Sequence, residues 1–175
     1  MKKTISLVVL VLVLFTTTLL SQNKLNEYKV GHTFKISLPE YMSKTSGLNT
    51  SAAIQYKSSV KDVYGFAISD TKEDLLLSEM KFSSINEFYE SFIITFLKDE
   101  EKRTVSASKS KKIGETNFIE SDASYFDKEA KIEIFYLVGI VETKTSFYKV
   151  ISWSTLDNKD KFKADFQRIL YSLKD

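Results

Sequence analysis

The chain has 175 residues, of which 43% are hydrophobic and 13% aromatic, with one proline and five glycines; this fits one domain with a sizeable core and excludes a collagen-like or disordered chain. Its net charge of +2 comes from Lys2 and Lys3, because without residues 1–21 the 25 basic residues fall to 23 and balance the 23 acidic ones, leaving no global field to attract nucleic acid. The lack of cysteine excludes disulfides, thiolate zinc sites, iron–sulfur clusters and a cysteine nucleophile.

Residues 1–21 read as a secretory signal. Lys2-Lys3 supplies a basic start, Ile5 to Phe15 is almost wholly aliphatic, and Thr16 to Thr18 dilute the run, which is shorter than the ~20 residues of a spanning helix. Cleavage is expected between Ser21 and Gln22, leaving residues 22–175 as a single domain. The expected location is secreted or periplasmic. An uncleaved leader would instead make a membrane-tethered structural protein.

Leu25 to His32 predicts a short strand, and Gly31-His32 a tight connection. In Thr33 to Leu38, Phe34, Ile36 and Leu38 alternate with polar partners, as in a half-buried strand, and Pro39 stops it. Glu40 to Ser51 is polar and predicts a loop; Asn49-Thr50-Ser51 in it fits the glycosylation acceptor pattern. Ala52 to Lys57 and Val63 to Ser69 predict two more strands. Asp70 to Lys81, charged around Leu75-Leu76-Leu77, is compatible with a helical turn or a crossing connection.

Ser84 and Glu87 form a capping-box pair. Ile85, Phe88, Tyr89, Phe92, Ile93, Phe96 and Leu97 follow at helical spacing, with Lys98 and Lys102 near the expected negative end. Arg103 to Ile113 reads as one lysine-rich edge strand, Gly114-Glu115 as a turn, Thr116 to Phe126 as a strand, and Asp127-Lys128-Glu129 as another turn. Ile132 to Ser154 then carries apolar residues on both faces of an extended chain, broken at Glu142 to Thr145. That predicts a long antiparallel hairpin covered on both sides. Asp157-Asn158 opens a last helix, with Phe162, Phe166, Ile169, Leu170 and Leu173 as its stripe. The fold class expected is α+β, an antiparallel sheet with a long central hairpin flanked by two main helices.

The run Phe34-Lys35-Ile36-Ser37-Leu38-Pro39-Glu40-Tyr41 resembles the early F-x-I-x-x-P-x-aromatic signature of the PsbP-like family. Tyr148 to Ser152 resembles its penultimate strand, and Phe166, Ile169, Ser172 and Leu173 its closing helix. Tyr41 stands where tryptophan is usual, and Leu173 where phenylalanine is. The resemblance spans nearly the whole of residues 22–175 and implies an α-β-α sandwich with a non-catalytic accessory or binding role. It carries over no ligand site, and the histidines of the family's metal-binding members have no counterparts here.

The residues themselves single out no catalytic, cofactor or metal site. His32 is the only histidine and lies in a predicted turn, with no nucleophile-elbow pattern at any serine. Asp70, Glu73 and Asp74 are the densest acids but lack calcium-loop spacing. Lys109, Lys111 and Lys112 read as a solvated strand rather than a phosphate site. The glycines show no phosphate-cradling spacing. Tyr56, Tyr64 and Trp153 are candidate ligand-stacking aromatics, with Phe66, Tyr136 and Tyr148 beside them; packing under the helices is the competing reading. An exported, non-enzymatic accessory or binding domain of the cell envelope is expected, contacting a partner through a sheet edge or the Glu40–Ser51 loop. The alternative is a hydrolase using two carboxylates facing across a cleft at roughly 5–9.5 Å.

Overall fold

The computed structural model describes residues 23–175; the leader and the expected junction at Ser21 and Gln22 lie outside them. The strands are β1 (Leu25–Val30), β2 (Phe34–Pro39), β3 (Ser43–Thr45), β4 (Ile54–Ser58), β5 (Val63–Thr71), β6 (Glu101–Val105), β7 (Lys109–Ile113), β8 (Thr116–Asp127), β9 (Ile132–Glu142) and β10 (Ser146–Thr155). The helices are α1 (Lys72–Leu77) and α2 (Ile85–Ile93), both before β6, and α3 (Lys159–Tyr171), entered through a 3-10 turn at Leu156–Asn158.

The main sheet has the order β3-β4-β5-β10-β9-β8-β6, with β7 also on β8. Every strand pair in it is antiparallel, and the β9–β10 hairpin lies at its centre. The period-two pattern of that hairpin sorts the core. Phe135, Leu137, Val141, Tyr148 and Val150 pack toward α3 and the separate β1–β2 hairpin, against Phe162, Phe166, Ile169, Leu170, Phe34, Ile36 and Leu38. Val138, Ile140, Phe147 and Ile151 face the other way, toward α2. The architecture is an α+β sandwich, with helices on both faces of an antiparallel sheet. Each large apolar side chain buried this way stabilises by roughly 1.5–3 kcal/mol.

Ser84 accepts from the Glu87 amide while the Glu87 carboxylate accepts from the Ser83 amide, so the N-terminus of α2 is held by two reciprocal bonds, a variant of the capping box. The helix is shorter than its apolar stripe suggests: it stops at Ile93, and Leu97 has φ 56°. Its free carbonyls are not served by Lys98 or Lys102. Arg103, across the turn on β6, donates to the Ile93 and Phe96 carbonyls, because a forked guanidinium reaches two acceptors at once. The expected strand Arg103–Ile113 is two strands, both on β8, separated where Ser106 bonds Asp122 by backbone and side chain. The expected loop Glu40–Ser51 contains edge strand β3, and the Gln55 carboxamide oxygen accepts from the Leu48 and Asn49 amides to hold the rest. Asp70–Lys81 resolves into the end of β5 and α1, which Thr71 caps.

Candidate binding surface

Tyr64 on β5, Trp153 on β10 and Tyr136 on β9 are direct cross-strand partners in sequence across the sheet. Their rings stack: Tyr64 on Trp153 at 5.5 Å and 21°, and Trp153 on Tyr136 at 5.7 Å and 29°. Tyr125 on β8 extends the row at 6.1 Å from Tyr136, and Phe66 and Phe96 meet it edge-on. Strand pairing at about 4.8 Å and side chains upright on the sheet set this spacing. All six rings are half-buried, on the α2 face beyond the short helix. Burial, then the neighbouring Tyr125, pushes the Tyr136 phenol well above its ordinary range.

The candidate aromatics therefore divide. Tyr56 and Tyr148 lie on the opposite face, sealed in the core under α3 and the β1–β2 hairpin. Tyr56 is not available to stack a ligand; its hydroxyl is within 2.9 Å of the Ser152 hydroxyl, and burial drives its pKa far up. The period of two decides this, since 56 and 64 take opposite faces across paired strands. Tyr64 and Trp153 do share a half-open face, but Trp153 has a ring stacked against each flank.

A second feature of this face is a notch of about 150 Å³ beside α1, lined by Leu75, Leu76, Met80, Phe82, Phe147, Lys72 and Lys81. Its floor is tightly organised: Phe147 stacks on Phe88 at 4.5 Å and 8°, and Phe82 sits edge-on to both. Leu75 is buried, whereas Leu76, Leu77 and Met80 are 59%, 78% and 47% exposed. Sequence reasoning saw the Leu75-Leu76-Leu77 run and missed this, because the outward face of a six-residue helix is set by how it docks. The exposed apolar side chains of this short segment thus lie beside the notch rather than in the core.

The buried acids Glu120 and Asp165 and the half-buried Asp122 are all occupied. Glu120 accepts from Gln167 and Tyr171, at 2.7 and 2.9 Å. Asp122 lies 2.8 Å from the Lys159 ammonium and 2.7 Å from that of Lys163. Burial opposes the charge on Asp122, yet those lysines hold its pKa below the ordinary value. Asp165 accepts from Asn23, Tyr41 and Arg168. These carboxylates fasten α3 to β8 and to the start of the described chain. Asp99, Glu100, Glu101, Asp127 and Glu129 line an open hollow of about 330 Å³, where Glu101 pairs with Lys128 at 3.2 Å. Of the group Asp70, Glu73 and Asp74, Asp70 pairs with Lys149 and Asp74 accepts from Thr71. His32 is exposed in the β1–β2 turn, and Lys109, Lys111 and Lys112 are exposed on β7. Among the described residues, no three His, Asp or Glu side chains gather as a metal site needs, and no helix is long and apolar enough to cross a membrane.

No family model matches the sequence, and no curated protein matches it. Solved structures do. The solution structure of cyanobacterial PsbP (CyanoP) from Synechocystis superposes with a TM-score of 0.62 at 10% identity, over 89% of this chain and 94% of that one. The crystal structure of LpqN, involved in cell envelope biogenesis of Mycobacterium tuberculosis, gives 0.58 at 11% identity, over 87% and 91%. The likeness covers all but a small part of each chain, and the α-β-α arrangement of this protein is accordingly the PsbP-like fold.

Proposed function

We propose that the protein is an exported, non-enzymatic binding domain acting at the cell envelope or outside the cell. The observation that carries this reading is the division of labour between the two faces of the sheet. On the α3 face the buried carboxylates Glu120 and Asp165 and the half-buried Asp122 are engaged by two or three donors each, as structural fasteners are. On the α2 face the short helix leaves the aromatic row and the α1 notch open to a partner, as a rigid scaffold offers recognition surface. The basic, aliphatic start of the sequence and the envelope role of LpqN support export.

Fractionation of cells making the full chain, followed by mass spectrometry of the purified protein, tests the reading. Recovery from the envelope or medium with Gln22 at the N-terminus is the expected result. Retention of residues 1–21 in the membrane fraction replaces it with the tethered form, and a cytoplasmic protein overturns it. Release of soluble sugars from purified envelope polysaccharide, lost in Glu120→Gln or Asp122→Asn variants that still fold, would favour the hydrolase instead.

A further inference from the structure

We propose that the notch beside α1 holds a single-chain anionic amphiphile, its tail against Leu75, Phe82 and Phe147 and its acidic head on Lys81. The proposal rests on the binding-domain reading above and gives that domain a ligand class.

The lining carries the chemistry. Five of the seven side chains are apolar, the other two are lysines, and none is acidic. The two lysines differ. Lys72 is already paired with Glu142 at 2.9 Å and lies 4.9 Å over the Phe147 ring. Lys81 is exposed and makes no ion pair or hydrogen bond among the described residues. A carboxylate or phosphate head at the mouth therefore has one uncommitted ammonium to meet, while the tail leaves water against a fixed aromatic floor.

The notch has room for part of an apolar tail, and its rim offers more apolar surface. The volume of about 150 Å³ is some five times the ~30 Å³ share of one water molecule, room for a short run of methylenes. Of its lining, Leu76 and Met80 are largely exposed, as is Leu77 next to Leu76 in the chain. Met80 is turned over the notch by Glu79, at φ 59°, whose turn returns the Met80 amide to the Leu75 carbonyl at 2.8 Å. Glycine favours that backbone conformation, yet glutamate holds it here. Methionine at the lip adapts to tails of different outline.

The charges select a free amphiphile over a bilayer. Glu73, Asp74 and Glu79 outnumber Lys72 and Lys81 on this segment, so its outer surface is not drawn to anionic lipid. Only the charges lining the notch are uniformly positive.

The test is titration of the purified full chain at pH 8 with decanoate below its micelle-forming concentration, read by NMR at the methyls of Met80, Leu75, Leu76 and Leu77. Decyl maltoside supplies a tail of the same length with an uncharged head, and phosphatidylcholine vesicles with or without phosphatidylglycerol supply a membrane. Saturable shifts centred on Leu75 and Met80, weakened about tenfold in Lys81→Gln and by the uncharged head, support the proposal. Leu77→Asp, at a position 78% exposed and with its fold checked by circular dichroism, is expected to weaken binding too. Equal affinity in Lys81→Gln, shifts centred elsewhere, or vesicle binding lost in Leu77→Asp without any response to decanoate would each overturn it. Absence of decanoate binding by an exported protein refutes the ligand alone, whereas a cytoplasmic protein refutes the envelope role whatever decanoate does.

Discussion

Tyr56 stands in the space that Gly65 leaves empty. The two are paired across β4 and β5. A Cβ on residue 65 would run into the Tyr56 ring and lie 2.7 Å from the Ile151 carbonyl oxygen. The missing side chain lets the phenol lie across the sheet and reach Ser152 on β10, one strand beyond its own neighbour. Gly65→Ala is expected to destabilise by about 1–3 kcal/mol or more, since backbone and a sealed ring cannot both move aside. Urea unfolding measures it, and an unchanged midpoint would mean that the ring relocates freely.

The Tyr56–Ser152 hydrogen bond joins two sealed hydroxyls. Tyr56→Phe should cost about 1–3 kcal/mol, because it leaves the Ser152 hydroxyl buried without this partner. Adding Ser152→Ala should recover part of that loss. A double-mutant cycle reads the coupling, and additive costs would show that the hydroxyls do not depend on each other.

Asp122 makes part of the stability acid-sensitive. Its folded-state pKa lies below the ordinary 3.8, burial being outweighed by Lys159 and Lys163. A depressed carboxyl pKa contributes stability that is present above the unfolded value and is lost as pH falls through the folded one. Asp122→Asn should destabilise by about 1.5–3 kcal/mol at pH 7, the range for hydrogen bonds to charged groups. The gap between variant and parent should close as pH drops below 3.8. Denaturant midpoints from pH 2 to 7 check this, and a gap that persists at pH 2 would assign the cost to packing.

Tyrosine ionisation limits stability at the alkaline end. Burial raises the pKa of Tyr41, Tyr56, Tyr136 and Tyr171 above 10.0, with Asp165 adding to it at Tyr41 and Glu120 at Tyr171. A raised phenol pKa contributes stability that is complete below 10.0 and declines from there upward, as the unfolded chain ionises first. Ultraviolet titration should show these phenols ionising only as the fold is lost. Reversible ionisation of all nine tyrosines near pH 10 with native circular dichroism would contradict it.

Trp153 is the only tryptophan and reports on the aromatic row directly. Removing either flanking ring, as Tyr64→Ala or Tyr136→Ala, should red-shift its emission and cost about 0.5–1.5 kcal/mol beyond the lost area, the worth of an aromatic pair. If neither change moves the emission, the stack does not persist in solution.

The alternation of Ile132 to Ser154 was enough to place the central hairpin and to assign each side chain to a face, because strand geometry leaves only two choices. Helical spacing did the same for Phe162 to Leu173, and Ser84 with Glu87 marked where α2 starts. Where α2 ends was not legible: Phe96 and Leu97 continue its spacing, but Arg103, from the next strand, supplies the donors that let the chain turn away.

The candidate site follows the same line. Tyr64 and Trp153 could be seen as aromatics on strands, but whether they share a face with Tyr56 depends on which strands are neighbours, and β5 meets β10 only through a pairing of long sequence separation. Likewise the leucines of α1 declare themselves apolar without saying which of them water will touch. Local periodicity fixes what each residue can see within its own element; only the packing of elements against one another determines which of those faces is left uncovered.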